Sequence, residues 1–192
     1  MTIDASDRQI LLSLARRSIE LGLSEERLAP VPPVDSPALQ QPRATFVTLR
    51  EHGDLRGCCG SIEAQAPLAE DVWRNAWASA FADPRFPPLS PDEYGALDVH
   101  ISVLSPLDRV PVSSERELLD VLRPQRDGLL LKLGAARATF LPAVWESIEN
   151  PAQFVRQLKL KAGLPADFWS PQMEVWRYHT ESFGENDGEG DL

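Results

Sequence analysis

Between residues 97 and 103 apolar and polar side chains alternate without a break, Leu97, Val99, Ile101 and Val103 against Asp98, His100 and Ser102. A period of two describes a pleated strand with one apolar face, and such a strand needs lateral partners and a cover for that face. The chain supplies both. Residues 44–49 and 55–62 read as two further strands joined by a turn at His52-Gly53-Asp54, which makes a hairpin. Ahead of it, Ile10, Leu11, Leu14, Ala15 and Ile19 recur at helical spacing, with Ser6 and Gln9 as a capping box and Gly22 as the stop. After it, Pro67 occupies the first helical position of a second helix. There Leu68, Val72, Ala76 and Ala80 form one stripe and Trp73, Trp77 and Phe81 the adjacent one, a spacing that predicts core packing rather than a cofactor box. Helices laid on one face of antiparallel strands make the class α+β.

The second half repeats the theme. Ser90 and Glu93 cap a short helix, and Ser114 and Glu117 cap another that carries Leu118, Leu119 and Leu122. Residues 129–133 and 138–140 read as a hairpin around Gly134, residues 142–148 as a short helix, and Asn150 caps a longer helix that ends at Gly163. Residues 173–178 read as the last strand. The expected architecture is a two-lobed single domain over residues 1–183 with mixed, largely antiparallel sheets. Residues 184–192, rich in glycine and acid, have little to bury and are expected to be a disordered acidic tail. Pro30, Pro32, Pro33, Pro37 and Pro42 exclude helix from the connection after the first helix, which reads as an extended crossover wrapping a surface.

Charge narrows the range of partners. The formal net charge is −10, and Glu181, Glu185, Asp187, Glu189 and Asp191 supply five acids at the C-terminal end with no Lys or Arg among them. With no basic stripe, direct nucleic-acid binding is disfavoured. No apolar run approaches the roughly 18 residues of a membrane span, and the N-terminus lacks a signal peptide's basic and apolar regions, so a cytoplasmic protein without membrane contact is expected. The only two cysteines are adjacent, which speaks against a disulfide framework or a zinc site of CxxC type. No cofactor is expected.

Those cysteines lie in Leu55-Arg56-Gly57-Cys58-Cys59-Gly60-Ser61-Ile62, between two glycines that permit close approach of a backbone or a ligand. On an extended strand Arg56 and Cys58 share one face, while Leu55, Cys59 and Ser61 take the other. Thiolate is the reactive form and a fixed neighbouring cation favours it, so Cys58 is the candidate nucleophile, Arg56 its activator and Cys59 a packing residue. The competing reading is a thin structural strand. His100 is a candidate acid/base partner for Cys58 if their strands are neighbours, against the alternative of an exposed face residue. Asp83 and Arg85, stiffened by Pro84, Pro87 and Pro88, are either an anion clamp or an internal brace, and the brace is favoured. With Gly57, Gly60 and Ser61 they complete the candidate ligand-binding set. A metal site from His52, Cys58 and Cys59 ranks lowest, because adjacent strand residues point to opposite faces.

The same stretch resembles the LRGCxGS-type signature of the AMMECR1 domain family, system protein A of prokaryotic gene sets that also carry a Memo-like protein and a radical SAM protein. Thr45-Phe46-Val47-Thr48-Leu49 resembles the family's FVTL strand, and residues 79–89, SAFADPRFPPL, its SAFxDPRFPPL segment. Ile101-Ser102-Val103-Leu104-Ser105-Pro106 and Lys161-Ala162-Gly163-Leu164-Pro165 match two more, in the family's order. The resemblance implies the family's α+β fold and association with a Memo-like and a radical SAM protein. It implies no settled reaction. Two functions follow: an enzyme or group carrier in a modification system, with Cys58 as reactive thiol and a small molecule or protein as substrate, or a non-catalytic adaptor whose cysteine-bearing strand is structural.

Overall fold

The computed structural model describes residues 2–187 and divides into two compact units, one of residues 1–104 and 181–192, the other of residues 105–180. In the first unit α1 (Ala5–Glu25) is followed by the hairpin β1 (Thr45–Glu51) and β2 (Asp54–Gly60), then α2 (Leu68–Phe81) and β3 (Leu97–Leu104). The C-terminal strand, β8 (Thr180–Gly184), completes a four-stranded sheet of order β2-β1-β3-β8. β1 is antiparallel to both β2 and β3, with Thr48 opposite Cys58 on one side and His100 on the other.

Alternation does what it predicts on β1 and β3. Val47, Leu49, Val99, Ile101 and Val103 are buried, and they share one core with Leu11, Ala15 and Ile19 of α1 and Leu68, Val72, Trp73 and Ala76 of α2. Thr48, His100 and Ser102 lie on the opposite face and are only half-buried. The hairpin turns through His52 and Gly53, both at positive φ (52° and 89°), the mirror-type turn that suits strand twist.

Helix ends depart from the sequence reading in instructive ways. α1 is capped by Asp4, whose Oδ1 accepts from Asp7 N at 2.8 Å, so Ser6 lies inside the helix. It runs past Gly22 and stops at Glu26, which takes the left-handed conformation at φ 54°. Pro67 stands just before α2 rather than in it. The proline-rich connection does more than cross over: the carbonyls of Gln41 and Leu39 accept from Leu68 N (2.9 Å) and Ala69 N (3.1 Å), satisfying donors that a helix N-terminus leaves open. Leu39 is fully buried in consequence.

The second unit holds β4 (Asp108–Val110), α3 (Glu115–Val121), β5 (Gly128–Leu133), β6 (Ala136–Phe140), α4 (Pro151–Lys161) and β7 (Glu174–Tyr178), its sheet ordered β4-β7-β5-β6. Ser114 and Asn150 cap the two helices as their sequence positions predict. Trp145 stacks on Phe154 at 3.8 Å between ring centroids, in a core with Leu118, Leu131, Val155 and Val175. The α+β class stands, and every strand pair with an established register is antiparallel.

Two strands, β4 and β8, escape the sequence reading because neither carries a long apolar alternation. β8 also moves the expected start of the tail. Gly184 ends a strand, and Glu185 pairs with Arg16 of α1, Oε1 to Nε at 2.7 Å, while its Oε2 accepts from Val99 N at 2.9 Å. Residues 188–192 of the expected tail lie outside the described residues.

Candidate functional site

β2 is an edge strand, and its exposed edge at Cys58 is closed by side chains. Asp83 Oδ2 accepts from Cys58 N at 2.9 Å, and Arg85 Nη2 donates to the Cys58 carbonyl at 3.3 Å. Arg85 Nε and Nη2 grip the same carboxylate at 3.0 and 2.7 Å. Asp83 is 5% exposed, and the Arg85 guanidinium, helped by the Cys58 and Arg85 amides, holds its carboxyl well below the usual range. Asp83 and Arg85 therefore form the brace, and what they brace is the backbone of Cys58.

One residue on, the Ser79 hydroxyl of α2 accepts from Cys59 N at 2.8 Å and lies 2.8 Å from the Val47 carbonyl oxygen and 2.7 Å from that of Asn75. Gly57 makes this contact between helix and strand possible, since a Cβ there would overlap the Ser79 carbonyl oxygen. Gly60 does the same for the Phe46 ring and the Thr45 carbonyl. Ser61 Oγ donates to the Asp71 carboxylate at 2.7 Å, where Thr45 N and Oγ1 and Asn75 Nδ2 also converge. Burial raises the pKa of Asp71 against those donors. Gly57 and Ser61 thus tie this stretch to α2, and Gly60 fits it to β1.

Arg56 is not beside the thiol. The register slips between Leu49, opposite Gly57, and Arg50, opposite Leu55, so Arg56 is the extra residue of a β-bulge and the strict period of two is lost. Its guanidinium is buried on Glu93, Nε to Oε1 at 2.6 Å, and Nη2 donates to the Pro87 carbonyl at 3.0 Å. That ion pair, with the Ser90 amide and hydroxyl, pushes the Glu93 carboxyl down to about 2. The pairing of Arg56 with Cys58 expected from alternation gives way to this one. The cation that does stand near the thiols is Arg85.

Cys58 and Cys59 part as alternation requires. Cys58 Sγ lies on the half-open face, with Thr48 Oγ1 donating to it at 3.4 Å. Cys59 lies opposite Val47 on the helix-covered face, where burial and then the negative charge of Asp83 raise its pKa. His100 shares the face of Cys58 but not a strand boundary, because β1 runs between them. Two strand spacings, about 9.5 Å, separate the backbones, so the direct Cys–His pair does not form. His100 Nε2 is instead 2.7 Å from Asp98 Oδ2. Among the described residues no group of three His, Cys, Asp or Glu side chains could hold a metal, and His52 sits exposed in the hairpin turn.

Residues 12–183 match the AMMECR1 family model. The chain belongs to the AMMECR1 family. It is 35% identical to a protein of Thermofilum pendens across 99% of this chain and 95% of that one. It is 34% identical to a protein of Methanothermobacter thermautotrophicus across 96% and 97% of the two chains. Its fold is similar to the crystal structure of the uncharacterized protein PH0010 from Pyrococcus horikoshii, with 32% identity, a TM-score of 0.85 and coverage of 94% and 92%.

In this AMMECR1-family chain three of the stretches that carried the resemblance meet at one place. There Thr48 of the first strand and Asp83 and Arg85 of the 79–89 segment bond Cys58, while Ser79 of the same segment accepts from Cys59 N. Sequence reasoning missed Thr48, Asp71, Ser79 and the part Glu93 plays for Arg56. Strand alternation alone would have put Thr48 on an open face, but no local signal names its neighbour Cys58. Among the described residues no helix is long and apolar enough to cross a membrane.

Proposed function

We propose that Cys58 is the reactive thiol of this protein, acting as a nucleophile or group carrier on a small-molecule or protein substrate. One observation carries the reading: both backbone hydrogen-bonding groups of Cys58 are clamped by Asp83 and Arg85 while its sulfur stays on the half-open sheet face, accepting from Thr48. A rigid backbone with a presented side chain is how a nucleophile is pre-organised. Around it Arg56, Gly57, Gly60 and Ser61 are committed to internal contacts, which makes them positioning residues rather than ligand-binding ones. The same commitments support a second reading, an adaptor module in which the strand is structural. Two free adjacent thiols suit a reducing compartment, and we place the protein in the cytoplasm.

Alkylation by iodoacetamide near neutral pH, followed site by site with mass spectrometry, separates the two readings. Cys58 is expected to be modified in the folded protein and Cys59 to be spared. A Cys58 that stays inert until the protein unfolds transfers the assignment to the adaptor reading. Association with a Memo-like protein and a radical SAM protein, which the family resemblance implies, is compatible with either. Co-purification with each candidate tests it, and failure to obtain any complex counts against it.

A further inference from the structure

Arg85 uses only one edge of its guanidinium as a brace. Nε donates to Asp83 Oδ1 at 3.0 Å, and Nη2 donates to Asp83 Oδ2 at 2.7 Å and to the Cys58 carbonyl at 3.3 Å. A guanidinium carries five N–H donors, and the two on Nη1 have no acceptor among the described residues. Asp83 does not reach them. Its Oδ1 also accepts from Arg85 N at 3.1 Å and its Oδ2 from Cys58 N at 2.9 Å, so each oxygen already holds two donors and the carboxylate is fixed on the Nε–Nη2 edge. The Phe86 ring, 5.6 Å from Arg85 Cζ, backs the guanidinium. The Arg85 side chain is 53% exposed and that of Asp83 is 3% exposed, so the pair turns its cation outward and its anion inward.

That cation stands beside the thiol. The carbonyl that Nη2 reaches belongs to Cys58 itself, whose sulfur lies on the half-open face, so guanidinium and Sγ are one residue's span apart. Arg56, the other arginine against Phe86, is buried on Glu93. On the sheet face of Cys58, Asp98 is two strands away and bonded to His100. A guanidinium with free donors next to a nucleophile matches an oxyanion such as a carboxylate or a phosphate.

We propose that the substrate of Cys58 is an anion, whose charged oxygens dock on Nη1 of Arg85 while its reacting atom meets Sγ. The inference rests on the reactive-thiol reading and adds the charge of the substrate to it. Two thiosulfonates that share one reactive group test it in the full chain, the anionic 2-sulfonatoethyl and the cationic 2-(trimethylammonium)ethyl methanethiosulfonate. In both, the thiolate attacks the sulfenyl sulfur, an S–S bond forms, the S–SO2 bond breaks and methanesulfinate leaves. Adducts at Cys58 are followed by mass spectrometry, and the anion-to-cation rate ratio is divided by that of N-acetylcysteine amide. This relative ratio should exceed about threefold at low salt and fall toward one in about 1 M salt, where the Debye length is about 3 Å. Arg85→Met, its fold checked by circular dichroism, should bring it to one or below, and taking a ratio cancels any change in the thiol's own reactivity. Should that variant not fold, the parent's ratio and its salt dependence decide. A parent ratio at or below one, a ratio indifferent to salt, or one unchanged in folded Arg85→Met overturns the proposal and leaves Cys58 reactive. If neither reagent modifies Cys58 in the folded chain, the reactive-thiol reading fails and this inference fails with it.

Discussion

Cys58 and Cys59 are neighbours in the chain and opposites in environment, one sulfur beside Thr48 on a half-open face and the other against the helices. The cation near them is Arg85, so Arg85→Met should slow iodoacetamide alkylation of Cys58, and alkylation kinetics in the folded variant are the check. Arg56 acts elsewhere. Its Glu93 partner titrates low when folded, at about 2, and near 4.3 when unfolded. A depressed carboxyl gives stability that is present above the unfolded value and is lost as pH falls through the folded one. Denaturation series between pH 5 and 2 should therefore show a steeper loss in the parent than in Glu93→Gln, which lacks that titration. Asp71 has the opposite sign. Its raised pKa favours the folded state at low pH, and the contribution is lost as pH rises through the folded value. At Gly57 the constraint is steric. Gly57→Ala would force strand and helix apart at the Ser79 carbonyl and should cost about 1–3 kcal/mol, read as a lower denaturation midpoint at unchanged slope.

At the scale of elements, β1 decides what the site can do. It lies between β2 and β3 and puts Thr48, not His100, next to Cys58. His100→Ala should leave the alkylation rate of Cys58 within about twofold, since two strand spacings and solvent screening intervene. A strong drop in that rate would show a coupling that the backbone spacing does not predict. The C-terminal strand matters more than its composition suggests. Truncation after Phe183 removes the Glu185 contacts to Arg16 and Val99 N and should cost on the order of 2 kcal/mol, or roughly 4–8 °C in Tm. A thermal melt of the truncated chain reads that value, and an unchanged Tm would show those contacts to be neutral.

The whole molecule has one contiguous unit and one discontiguous unit. Residues 105–180 contain their own sheet, two capped helices and the Trp145–Phe154 core. Expressed alone they should fold cooperatively. Residues 1–104 lack β8, and with it the ion pairs of Glu181 with Arg8 and of Glu185 with Arg16 that tie the C-terminal strand region to α1. That fragment would also leave β3 as a new open edge, so it should be unstable or aggregate. Amide chemical-shift dispersion of the two fragments tests both statements, and a stable 1–104 fragment would show β8 to be dispensable.

Sequence alone determined the class, most elements and the facing of the two cysteines, because periods of two and 3.6 are local properties of the backbone. Leu97 to Val103 could bury only one face, and Ser114 and Asn150 could cap only what followed them. Contacts between distant positions were beyond that reach. A β-bulge absorbed Arg56 and turned it to Glu93, 37 positions away, because a bulge depends on how two strands register and not on either strand's own pattern. Strand order likewise placed β1 between Cys58 and His100. Trp77 follows the helical period of a core residue, and its ring packs on α1 only because Gly22 there has no side chain. Periodicity states which face of an element seeks cover, and only tertiary packing decides which neighbour provides it.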